Sequence, residues 1–141
     1  MAKIFENIFM EIQERIISTC LEAIEDNSIN VDKTFIYAFW SESQIFFNVF
    51  FKKDKSVLHY EDLGVSENII VQVFDLGMDD IVEISELYKD HNKIPPNQYK
   101  LIYDNQTHSF DSDYSYDDLK KSKDGPLDIF MNWIDEIASD N

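Results

Sequence analysis

Basic residues, cysteine, glycine and proline are all scarce in this chain. Only 12 of its 141 residues are Lys or Arg, against 28 Asp and Glu, for a formal net charge of −16. Phosphate binding needs a basic stripe. Here Arg15 stands alone, and six of the lysines fall in two short runs, Lys52-Lys53-Asp54-Lys55 and Lys120-Lys121-Ser122-Lys123, that read as solubilising loops. No direct nucleic-acid ligand is expected. One cysteine excludes an intramolecular disulfide framework, and Cys20 lies among the apolar residues of a helical pattern, as a buried and inert thiol would. Three glycines, Gly64, Gly77 and Gly125, are too dispersed to form a phosphate-cradling loop. His59, His91 and His108 are isolated, without HExxH, CxxC or GxSxG spacing, so no catalytic residue, metal site or cofactor is expected. Long apolar runs are missing too. The N-terminal MAKIFENIFMEIQERIIS is interrupted by Glu6, Glu11, Glu14 and Arg15, which does not suit a signal peptide. No segment approaches the roughly 20 apolar residues that span a bilayer. A soluble, cytoplasmic protein away from membranes is the expectation.

The chain is rich in aromatic residues, with 11 Phe and 7 Tyr, and its apolar fraction of 44% is too high for a disordered acidic tail. A single domain over 1–141 is expected. Apolar residues at helical spacing (Phe5, Ile8, Ile12, Ile16, Cys20, Ile24) predict a helix over 4–25, with Glu11 and Arg15 paired at i,i+4 and turn formers at 26–30 ending it. TFIYAFW (34–40) and QIFFNVFF (44–51) read as a hairpin of central strands. SVLHYEDL (56–63) reads as a third strand. Ser66 is the predicted N-cap of a second helix reaching about Tyr88, with Ile70, Phe74, Met78, Ile81, Val82 and Tyr88 buried and Gly77 marking close packing. Beyond Pro95 and Pro96, NQYKLIYDN (97–105) and THSFDSDYS (107–115) form a strand pair, and Gly125-Pro126 opens a last helix. The order α-β-β-β-α-β-β-α predicts an α+β fold, an antiparallel sheet of about five strands with helices packed on it.

The negative charge is concentrated in two places. On the second helix Asp75, Asp79, Glu83, Glu86 and Asp90 recur at intervals of 4, 4, 3 and 4, which aligns them along one outer face. Each like-charge i,i+4 pair costs about 0.2–0.5 kcal/mol, and only Lys89 is near enough in sequence to offset them. The other concentration is FDSDYSYDDL (110–119), where strand alternation puts Asp111 and Asp113 on one face, opposite Phe110, Ser112 and Tyr114, with Asp117 and Asp118 at the strand end. A calcium loop fits poorly, because position 6 is Tyr116 rather than Gly and position 12 is Ser122 rather than Glu. A pair of catalytic carboxylates is a second reading, and an acidic binding surface flanked by Tyr114 and Tyr116 is the favoured third.

The strands FIYAFW and IFFNVFF, the helix VQVFDLGMDDIVEISELY, the strand pair ending in FDSDYSYDDL and Trp133 in the last helix follow one another in an order that resembles the YezG-like immunity protein family, which includes the EsaG-like antitoxins. The resemblance runs from about residue 4 to residue 135, with VQVFD (71–75) and DYSYDDL (113–119) its best-matching pieces. IPPNQY and VDKTFIY lack the tryptophans usual in that family. The resemblance implies a cytoplasmic antitoxin that neutralises a secreted polymorphic toxin, often of the LXG type and in the EsaG-like branch a nuclease.

The expected function is therefore a non-enzymatic immunity protein whose carboxylates cover a basic nuclease site. Its candidate toxin-binding residues are Asp111, Asp113, Tyr114, Tyr116, Asp117, Asp118, Asp75, Asp79, Glu83 and Glu86. An acidic adaptor for another basic protein, or a small hydrolase using Asp111 and Asp113, are the alternatives.

Overall fold

In the computed structural model, which describes residues 2–25 and 30–140, the sheet is assembled from two hairpins that meet at its centre. Helix α1 (Ala2–Glu22) precedes β1 (Lys33–Trp40), β2 (Ile45–Lys53) and the short β3 (Ser56–Leu58). A 3-10 turn (Glu61–Leu63) leads into α2 (Glu67–Asp90), followed by β4 (Gln98–Asp104), β5 (Ser109–Ser115) and α3 (Pro126–Ser139). The five strands are antiparallel in the order β3-β2-β1-β4-β5. This is the α+β architecture and element order that the sequence predicts. The turn formers 26–29 lie outside the described residues.

The dense aromatics of β1 and β2 are explained by burial on both faces. Ile36, Ala38, Phe47, Val49 and Phe51 pack beneath α1 and α2, together with Ile12, Ile16, Ile81 and Ile84. Phe35, Tyr37, Phe39 and Phe50 pack on the other face against Phe130, Trp133 and Ile134 of α3. Burying a side chain of this size is worth about 1.5–3 kcal/mol, so the central strands can be apolar throughout without exposing a sticky surface. Gly77 permits the tightest approach in the first layer: a Cβ there would stand 2.5–2.6 Å from three carbons of the Phe47 ring.

Several expectations are corrected. The third strand ends at Leu58, because His59 donates its backbone N–H to the Asp62 carboxylate (2.8 Å) and Gly64 closes a turn onto Glu61 with φ +77°. Local side-chain acceptors compete with a ladder in this way. Val82 is 39% exposed, while Val73 and Ile84 are buried. Successive helical residues are 100° apart, so Ile81 and Val82 cannot both face the core. Lys52 is no loop solubiliser. It lies in β2, and its Nζ donates to the carbonyls of Ile137 (3.0 Å) and Asp140 (2.6 Å), which places a cation at the negative end of α3. Ser66 does cap α2, accepting the Ile69 N–H.

Candidate functional site

Arg15 does not pair with Glu11 along α1. It reaches across to α2, donating from Nε and Nη2 to one oxygen of Asp80 (3.0 and 2.7 Å) and from Nη2 to Glu83 (2.8 Å). Asp80 is nearly enclosed, and its burial pushes its pKa up, while the Arg15 guanidinium pulls in the opposite direction. Removing Arg15 would strand that carboxyl. Arg15→Ala should destabilise the fold by about 2 kcal/mol, given that hydrogen bonds to charged groups contribute roughly 1.5–3 and that Arg15 is half exposed. Urea unfolding measures this, and Glu11→Ala, at a residue with no ion pair among the described residues, should leave the midpoint unchanged.

The same guanidinium breaks the predicted ridge, since Glu83 is neutralised. Lys89 offers the ridge nothing: its Nζ bonds Glu42 (3.0 Å) and lies 4.9 Å from the centre of the Trp40 ring. Asp75, Asp79, Glu86 and Asp90 remain exposed on the outer face of α2, with no ion pair among the described residues.

Asp111 and Asp113 project from the opposite side of the molecule. They pair across the strands with Ile102 and Lys100 of β4 and share the sheet face that carries α3. That helix lies over β1, β2 and β3. At β4 only Ile102 and Lys100 still meet its cluster, and on β5 both carboxylates are exposed without a hydrogen bond or ion pair among the described residues. Lys100, the nearest cation by register, instead holds its Nζ 5.3 Å from the centre of the Trp133 ring. The predicted carboxylates of β5, Asp111 and Asp113, and those of α2, Asp75, Asp79, Glu83 and Glu86, thus form two patches, separated by the sheet and a helix layer of about 10 Å each. One flat partner cannot cover both.

Tyr114 is also reassigned. It faces α1, its ring packs against Phe9 (5.5 Å) and Tyr99 (5.8 Å), and its hydroxyl donates to Gln13 Oε1 (2.6 Å). Ser112 donates to the same oxygen (2.9 Å), so the buried Gln13 amide ties β5 to α1. Sequence reasoning missed Gln13, although a lone amide beside Ile12, Ile16 and Ile17 was the available signal. Tyr116 is 59% exposed, but its hydroxyl interacts with that of Tyr88, so it too lies on the α1–α2 side of the sheet rather than beside Asp111 and Asp113. Asp117 and Asp118 accept backbone N–H bonds from Leu119 (3.0 Å) and Lys120 (3.1 Å) and so shape the chain after β5. The hydroxyl of Tyr99 is buried and has no partner among the described residues. Burial pushes its pKa and that of Tyr88 up.

Cys20 is fully buried, and desolvation pushes its thiol up to about 12, while its carbonyl accepts the Tyr60 hydroxyl (2.8 Å). Such a thiol is inert at neutral pH. His91 Nδ1 lies 2.9 Å from the Leu87 carbonyl and His108 Nδ1 3.0 Å from the Tyr103 hydroxyl, both structural contacts. Among the described residues no three side chains are grouped to hold a metal, and no helix is long and apolar enough to cross a membrane. No protein-family model matches this chain, and no curated protein is significantly similar to it.

Proposed function

We propose that this protein is an immunity protein that binds a basic toxin domain, a nuclease in the simplest case, and occludes its phosphate-binding surface. One observation carries the reading: Asp111 and Asp113 stand exposed on the last strand of the sheet, without an ion pair among the described residues, in a chain of net charge −16. Self-repulsion of that size does not help a fold, so its use lies in solubility or in a cationic partner. A nuclease site is basic because it holds phosphates, and an acidic strand face complements it. The resemblance to YezG-like immunity proteins supports the same reading, with a cytoplasmic site of action as part of the proposal. A hydrolase using Asp111 and Asp113 is less well supported. Acid/base pairs need carboxyls in contrasting environments, and these two protrude side by side from one strand into solvent.

Co-expression with a basic toxin domain, sought first among the products of neighbouring genes, tests the role. Rescue of growth together with co-purification is expected, and growth arrest in the presence of folded protein would overturn it. Stopped-flow association then locates the surface. Asp111→Lys with Asp113→Lys should slow binding about tenfold at low salt, since steering contributes factors of 10–10³. Asp75→Lys with Asp79→Lys, on the far side, should change it far less. Equal slowing by the two pairs would remove the assignment to β5.

A further inference from the structure

We propose that the outer edge of β5 takes up an extended segment of the partner as a sixth strand, one with Lys or Arg at alternate positions. The inference rests on the reading of this protein as the binder of a basic partner, and it specifies how that partner is held.

The hydrogen-bond phase of the sheet identifies the free edge. Trp40 donates its N–H to Asn97 O (2.7 Å), and Asn105 donates its N–H to Asp32 O (2.9 Å). These two bonds bracket the β1–β4 ladder and assign the odd-numbered main-chain groups of β4 to β1. Gln98, Lys100, Ile102 and Asp104 therefore face β5, opposite Ser115, Asp113, Asp111 and Ser109. Alternation leaves the N–H and C=O of Phe110, Ser112 and Tyr114 pointing away from the sheet, and β5 is its last strand. Such a row is a template for another strand, about 4.8 Å away.

Side chains decide what that strand carries. On one face its residues would stand beside Asp111 and Asp113, which have no cation of their own, so those positions call for Lys or Arg. On the α1 face they would lie beside Phe110, Ser112 and Tyr114, which are half-buried and largely apolar, so the intervening positions call for small or apolar residues. A second copy of this chain does not suit. Two β5 strands would set carboxylates against carboxylates, which is destabilising when they are directly opposed, and would join two chains of −16. The same two aspartates thus guard the edge against self-pairing and select a cationic strand. Main-chain bonds would supply affinity and the alternating contacts specificity.

Residue-resolved amide exchange on the full chain tests this, using a blocked heptapeptide that alternates lysine with valine. At saturation the amides of Phe110, Ser112 and Tyr114 should exchange at least about tenfold more slowly, whereas those of Asp111 and Asp113, already bonded to β4, should not change. A scrambled peptide of identical composition with its lysines adjacent should protect none of them, and Asp111→Lys with Asp113→Lys should abolish the effect. Equal protection by both peptides, protection confined to α2, or protection that grows with protein concentration alone would each overturn the sixth strand. The two readings separate cleanly. Growth rescue with Phe110, Ser112 and Tyr114 unprotected in the toxin complex removes only the edge mode, and edge protection without rescue removes only the immunity role.

Discussion

Trp133→Ala should destabilise the protein by about 3–5 kcal/mol, the cost of truncating a buried aromatic and leaving a cavity. The loss falls at the top of that range because the layer it belongs to is thin. Trp133 meets Phe35 and Phe50 edge-on, at 5.6 and 5.3 Å between centroids and 84° between planes. Phe130 and Ile134 are the other buried residues that α3 brings to this aromatic cluster. The Lys100 ammonium also loses the ring it rests on. The urea midpoint reports the change, and limited proteolysis reports its location. Cleavage should appear in 119–125, ahead of a loosened α3, before it appears elsewhere. Met131→Ala, on the exposed side of the same helix, should stay within about 0.5 kcal/mol of the parent. If the two variants unfold alike, α3 is not held by this cluster.

The second large effect is at Gly77. Replacing a mid-helix glycine in open space gains up to about 1 kcal/mol, so the helix alone would favour substitution. Packing overrides it. A Cβ at 2.5–2.6 Å from the Phe47 ring lies well inside van der Waals contact, and Phe47 is itself buried against Phe74. Gly77→Val should therefore cost about 3 kcal/mol, at the upper end for overpacking. The diagnostic is a double-mutant cycle. Phe47→Leu shortens the offending ring and should recover at least about 1 kcal/mol of the Gly77→Val penalty, a coupling typical of residues in contact. Strict additivity would mean that the strain lies elsewhere.

The fold was legible because period and punctuation agreed. Alternation in β4 and β5, the Ser66 cap, the Pro95-Pro96 break and Gly125-Pro126 each have local physical causes that survive in any tertiary context. Gly77 was legible for the same reason, as an exception in a strong helix that had to be caused by a neighbour. What the sequence could not show were the long-range choices. Arg15 has Glu11 one turn away, yet it serves Asp80 and Glu83, since a nearly buried carboxyl gains more from a guanidinium than an exposed one does. Lys52 sits in a lysine-rich run whose solvated appearance says nothing of α3 passing beside it. The sequence separates the acidic residues into two concentrations, but charge along a chain carries no sign of which side of a sheet each will occupy. The α2 carboxylates and those of β5 point to opposite sides of the molecule, and placement of α3 over β1–β3 leaves the β5 surface the more open one.

The strand order has a consequence for how the molecule comes together. β1–β2 and β4–β5 are hairpins of near neighbours, whereas the β1–β4 seam joins residues as distant in sequence as Ile36 and Leu101, with β2, β3 and α2 between them. Loop-closure entropy must be met before that seam contributes any stability, so the hairpins can form early and the seam late. Until it closes, β1 and β4 each expose an unpaired apolar edge. The vulnerable moment for aggregation in this chain is therefore the interval before its two halves meet, when the abundant carboxylates keep unfinished chains apart.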